Sequence, residues 1–107
     1  ALDDKPVASS SRLLLTATAR VANTGMVWNE KRTSLESWGK APARIEPVLG
    51  RARLVGLEPA RALTAQPLDS AGEPAGQSLA LKRTGADWSL ELNQPLPTIW
   101  HVITVER

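Results

Sequence analysis

Cysteine is absent from the 107 residues, which removes disulfides, thiolate catalysis and cysteine metal sites without assigning a compartment. Phe and Tyr are absent as well. The aromatic content of 4% is therefore four Trp residues, and the interior must be built from Leu, Val, Ile and Ala, with each indole a large share of it. No apolar run approaches the ~18 residues that a membrane-crossing helix needs, so no membrane insertion is expected. Charge of one sign is not concentrated either. Thirteen Lys and Arg stand against eleven Asp and Glu, a formal net charge of +2, scattered singly or in pairs such as Lys31-Arg32 and Lys82-Arg83. A nucleic-acid binder gathers such charge on a stripe or patch, so no nucleic-acid partner is expected. His101 is the only histidine, with no second His or Cys to complete a zinc set and no serine on an elbow motif beside it. The glycines match neither the dinucleotide nor the phosphate-loop spacing, and no cofactor is expected. The chain opens at Ala1 rather than Met, as a processed protein, a fragment or one piece of a longer protein would. Many exported bacterial domains also lack cysteine, in keeping with a periplasmic or secreted location.

What is present points to short strands. A chain of this length supports one hydrophobic core. Residues 1–11 are polar, contain Pro6 and end in Ser9-Ser10-Ser11, which reads as a flexible leader or linker before a single domain over 12–107. From Arg12 to Ala22, Leu13, Leu15, Ala17, Ala19 and Val21 alternate with Leu14, Thr16, Thr18 and Arg20, the period-2 signature of one half-buried strand. Further strand signals run over Ala43–Val48, Gly50–Leu57, Arg61–Leu68, Gln77–Arg83, Asp87–Asn93 and Thr98–Glu106, with Gly50, Glu58-Pro59, the polar run 69–76, Gly85 and a proline turn over Asn93–Pro97 between them. Pro47 and Pro67 suggest edges or strand ends. Ile99, Ile103 and Val105 lie on one face of the last strand and Trp100 and Val102 on the other, the pattern of a central or covered strand. With no βαβ spacing, the expected fold is all-β, an antiparallel β-sandwich of about seven or eight short strands, with a barrel as the alternative. Sequential pairing is expected of Gln77–Arg83 with Asp87–Asn93, and of the latter with Thr98–Glu106.

One stretch departs from this pattern. Residues 23–42 are polar and irregular by composition, yet hold Trp28 and Trp38. Asn23-Thr24-Gly25 carries turn chemistry, Met26-Val27-Trp28 suggests a short strand, and Thr33 with Glu36 resembles a capping box for one helical turn through Leu35 and Trp38. Trp88 and Trp100, by contrast, belong to strand patterns and to the core or its rim. Each loop indole is an interface anchor, a sugar-stacking platform or a plug closing the end of the fold. The candidate domain-interface or ligand-contact residues are Asn23, Met26, Trp28, Asn29, Arg32 and Trp38. Among the acids, Glu30, Glu36 and Glu46 form the only group worth weighing as a catalytic pair, and nothing in their spacing encloses a site. No catalytic residue is assigned.

The run Leu13-Leu14-Leu15 through Ala22-Asn23-Thr24-Gly25-Met26-Val27-Trp28-Asn29, then Trp38-Gly39-Lys40-Ala41-Pro42 and Ile45-Glu46-Pro47-Val48, resembles the entry into the C-terminal β-sandwich accessory domain of bacterial glycoside hydrolases with a TIM-barrel catalytic domain. The second half is similar too, in Arg53–Leu57, Leu68-Asp69 with its turn glycine, Trp88-Ser89-Leu90 and Pro97-Thr98-Ile99-Trp100-His101. In the family the residue after the closing Trp is often aromatic, and here it is His101. The resemblance implies that the acid and the nucleophile lie in the barrel, that this chain is noncatalytic, and that it packs against and stabilises a TIM-barrel partner of a polysaccharide- or oligosaccharide-cleaving enzyme. The alternative is an independent carbohydrate-binding or protein-adhesion module.

Overall fold

A computed structural model describes residues 1–57, 59–92 and 98–107, Pro47 by its backbone alone. The turn expected over Asn93–Pro97 lies outside the described residues, as does Glu58. Eleven strands are present among the described residues: β1 (Arg12–Thr16), β2 (Thr18–Thr24), β3 (Val27–Trp28), β4 (Leu35–Ser37), β5 (Lys40–Pro47), β6 (Arg51–Leu54), β7 (Ala62–Leu68), β8 (Leu79–Ala80), β9 (Lys82–Thr84), β10 (Asp87–Glu91) and β11 (Trp100–Glu106). The chain is all-β, and its strands form four antiparallel sheets. They fall into two compact units, the first made of Ala1–Ala17 with Val48–Arg107 and the second of Thr18–Pro47.

In the first unit a four-stranded sheet has the order β1-β11-β7-β8 and a three-stranded sheet the order β6-β10-β9. Opposite residues of an antiparallel pair share a face. The register therefore sets Leu13, Ile103 and Ala65 in one row, Leu15, His101 and Pro67 in another, and Val105 beside Leu63. Trp88 lies opposite Leu54, and Leu90 opposite Ala52. Leu13, Leu63, Ala65, Ile103 and Val105 from the first sheet and Trp88 and Leu90 from the second join Leu57, Ala60, Leu81 and Leu92 in one buried hydrophobic cluster. With Phe and Tyr missing, Trp88 is the largest member, and its Nε1 donates to the buried Leu57 carbonyl at 3.1 Å, so its polar edge is satisfied inside the core. Burial of one indole contributes about 4–6 kcal/mol in gross terms.

Of the two sequential pairings expected, the one between Gln77–Arg83 and Asp87–Asn93 forms through β9 and β10, and the other does not. β10 does not pair with β11. It lies between β6 and β9, while β11 is the central strand between β1 and β7. The longer ladders win: β11 matches five residues of β1 and seven of β7, and in that register His101, Ile103 and Val105 all turn to the core. The run Gln77–Arg83 is also not one strand. Leu79 and Ala80 pair with β7, the Leu81 amide donates to the Leu63 carbonyl at 2.9 Å, and Lys82 then opens a strand paired with β10. Leu81, 6% exposed, is the point at which the chain passes between sheets. Pro67 sits inside β7 at no cost to its ladder with β11. Its carbonyl accepts from Ala75 at 2.8 Å, so its missing N–H would have pointed to that same side, away from β11.

Residues 1–11, read from composition as a leader, are hydrogen-bonded into the first unit. The Leu2 amide donates to the Arg12 carbonyl at 2.8 Å, a 3-10 turn spans Val7–Ser9, and Ser10 is fully buried. The Asp3 carboxylate accepts from the Ser10 hydroxyl at 2.7 Å and from the Ser11 amide at 2.8 Å. Arg107 closes the same edge by donating to the carbonyls of Ala8 and Ser10 at 3.0 and 2.9 Å.

The strand expected over Arg12–Ala22 breaks at Ala17, whose amide donates to the Ile99 carbonyl at 2.9 Å. β1 pairs with β11 and β2 with β5, so the alternation is continuous while the pairing partner changes. The outcome for its apolar face differs accordingly: Leu13 is buried and Val21 is 63% exposed.

Candidate interaction ribbon

The second unit is a two-stranded ribbon. β2 runs antiparallel to β5 with two register shifts, and β3 pairs with β4 beyond them. The stretch expected to be irregular is thus strand-paired over much of its length. The helical turn proposed through Leu35 and Trp38 is replaced by β4, because the Thr33 amide that a capping box would use is already bound by Asn29 Oδ1 at 2.9 Å.

Asn29 organises the connection between β3 and β4. Its Oδ1 also accepts from the Ser34 amide at 3.3 Å, its Nδ2 donates to Thr33 Oγ1 at 3.0 Å, and its backbone amide donates to the Ser34 carbonyl at 3.0 Å. One side chain thereby supplies the turn's polar partners, the mechanism by which Asn favours turns. Arg32 takes φ +54° in this turn, and its guanidinium lies over the Trp28 ring, 5.2 Å from the centroid. At the other turn the Met26 amide donates to the Asn23 carbonyl at 3.1 Å, and Asn23 Nδ2 donates to the Trp38 carbonyl at 3.1 Å. Gly39 has φ +70°, and a Cβ there would collide with the Thr24 carbonyl oxygen and come within 2.6 Å of the Met26 nitrogen. Only glycine lets the two arms approach this closely.

The six candidate residues fall within this ribbon, in unequal roles. Asn23 and Asn29 hold turns, Met26 and Trp28 are half-buried, and Arg32 is engaged with Trp28. Trp38 alone among the four indoles is predominantly in solvent, 73% exposed. Sequence reasoning paired Trp28 with Trp38 and missed Gly39, Val21 and Ile45. The alternation of Val21 was visible, but not that its side chain would stay 63% exposed. No described side chain of the ribbon is buried.

Glu30, Glu36 and Glu46 are exposed, and Glu46 pairs with Arg20 at 3.6 Å. Among the described residues no group of three His, Cys, Asp or Glu is positioned to hold a metal ion. His101 is 1% exposed, neither ring nitrogen has a hydrogen-bond partner among the described residues, and burial pushes its pKa down from the ordinary value. Comparison with family models, with curated proteins and with solved structures finds no match to this chain.

Proposed function

We propose that this chain is a noncatalytic accessory domain that packs against and stabilises the TIM-barrel catalytic domain of a glycoside hydrolase, with the ribbon as its docking element. In this reading the first unit is an antiparallel β-sandwich, a view supported by the single hydrophobic cluster to which both of its sheets contribute. The resemblance of Asn23–Pro42 and the closing strand to such domains supplies the partner. The observation that carries docking is Trp38, a large apolar side chain left 73% exposed on a ribbon whose backbone is otherwise closely specified. Covering an indole is worth a few kcal/mol, about 25 cal/mol per Å² over the 150–250 Å² that such a ring can bury. A glycine-dependent turn that holds Trp38 in water is therefore costly unless a surface meets it.

The test compares Trp38→Ala and Trp28→Ala in two measurements, thermal unfolding of the isolated chain and association with the separately produced barrel domain. Docking predicts that Trp38→Ala weakens association at least tenfold and leaves the melting temperature within about 2 °C. Loss of oligosaccharide binding with association intact would favour the carbohydrate-binding module instead. Unchanged association and unchanged sugar binding would defeat both.

A further inference from the structure

We infer that the ribbon is a two-sided tongue that enters a groove on its partner protein, one wall of the groove apolar and the other acidic. The inference rests on the docking reading above and names the chemistry of the surface that is met. In the ladder Val21 lies opposite Ile45 and Asn23 opposite Ala43, so these four share a face. Ala22 lies opposite Arg44 on the reverse face, where Glu46, two residues beyond Arg44, reaches Arg20. One side of the ribbon is thus centred on two β-branched aliphatic residues, 63% and 47% exposed, and the other side is charged. A two-stranded ribbon supplies no second layer for either side.

The charge is unevenly shared between the units. Arg20, Lys31, Arg32, Lys40 and Arg44 stand against Glu30, Glu36 and Glu46 within Thr18–Pro47, whereas the remainder of the chain has eight basic and eight acidic residues. The whole formal net charge of +2 therefore belongs to the ribbon. Arg20 is neutralised by Glu46 and Arg32 is engaged with Trp28, but among the described residues no carboxylate reaches Lys40 or Arg44 at ion-pair distance. Lys40 lies opposite Thr24, beyond the register shift that follows Asn23. Covering Arg44 and its neighbour Lys40 without an acid would incur their desolvation, so a surface that buries the Arg44 side supplies carboxylates. A flat partner would cover one side only. A membrane surface fits less well, because an aliphatic face turned into the lipid would aim Arg44 on the reverse face away from the headgroups. Nucleic acid would leave Val21 and Ile45 uncovered.

The experiment uses the full-length gene product. A zero-length carbodiimide joins a lysine amine only to a carboxylate in direct contact, and a photoreactive benzoylphenylalanine at position 45 marks what lies against the other face. The expected result is a Lys40 cross-link to Asp or Glu outside residues 1–107, together with a position-45 cross-link to an apolar segment of the same partner domain. With that domain produced separately, Lys40→Gln with Arg44→Gln should raise Kd at least tenfold at low salt and flatten its dependence on salt. If Trp38→Ala weakens association while the double neutralisation does not, docking stands and the acidic wall is overturned. If neither does, the docking reading itself falls. Lys40 cross-links confined to Glu36 or Glu46, or made to a second copy of the chain, would overturn the inference, as would binding to phosphatidylglycerol vesicles abolished by the double substitution.

Discussion

Gly25 and Gly39 both adopt left-handed backbone, φ +73° and +70°, but differ in what a side chain would meet. Nothing lies within 4 Å of a Cβ on Gly25, so Gly25→Ala should cost only the conformational strain, about 1 kcal/mol. Gly39→Ala must in addition separate the Thr24–Met26 backbone from its own, and it should release the Met26 amide from the Asn23 carbonyl. Amide exchange checks this: the Met26 protection should drop sharply in Gly39→Ala and little in Gly25→Ala. His101 makes a prediction of opposite character. Its folded pKa lies below the ordinary 6.5, so the unfolded chain binds the proton more readily. The stability linked to it is fully present above pH 6.5 and is lost as pH falls from there toward the folded value. Because neither buried ring nitrogen has a partner among the described residues, His101→Leu should raise stability by about 1–2 kcal/mol near neutrality and more below it, as measured by urea unfolding from pH 7.5 to 5. A loss of stability would show that the ring is satisfied in the native protein.

The segment Ala1–Ser11 behaves as an element although composition reads it as a linker. Hydrogen bonds from the Ser10 hydroxyl and the Ser11 amide hold the Asp3 carboxyl well below the usual carboxylate range, so its contribution is present above about pH 3.8 and is lost as pH falls through that value and beyond. Asp3→Asn should therefore lower the melting temperature at pH 7 and lose its effect toward pH 2, as scanning calorimetry at the two pH values would show. What sequence conveyed about the elements follows from the range of each interaction. Alternation is local, and it exposed β1, β7, β10 and β11 and their apolar rows. Partner choice is not local: Ala17 carries an unbroken alternation from β1 into β2, at Leu81 the chain passes from β8 to β9, and no periodicity marks either change of partner. The Asp3 clasp was hidden because Ser10 and Asp3 are residues that also serve in loops. In the ribbon, Trp38 was legible as an indole out of place. Gly39, which fixes its position, reads in sequence as a simple stop.

The organisation of the whole chain turns on where the hydrophobic cluster draws its members. Every residue of that cluster, and every partly buried hydrophobic residue packed against it, lies in Ala1–Ala17 or Val48–Arg107. None comes from the ribbon. Thr18 and Pro47 are opposite each other in the β2–β5 ladder, so their Cα atoms are about 4.5–5.5 Å apart, a gap that a two-residue Asn-Gly turn spans. Replacing residues 19–46 by Asn-Gly, with Thr18 and Pro47 kept as the pair flanking the turn, should thus remove the exposed Val21, Trp38 and Ile45 and all five of the ribbon's cations while leaving the core and the Ala17–Ile99 backbone bond in place. Since shortening a connection lowers its closure entropy cost by only about 0.6 kcal/mol per halving, the melting temperature should change by no more than a few degrees. The shortened chain should still unfold cooperatively, with the emission of Trp88 blue-shifted by its burial, and, under the docking proposal above, should fail to associate with a barrel partner. A shortened chain that binds a hydrophobic dye and melts without a transition would mean that the ribbon completes the fold, and the role assigned to it would then be structural rather than adhesive.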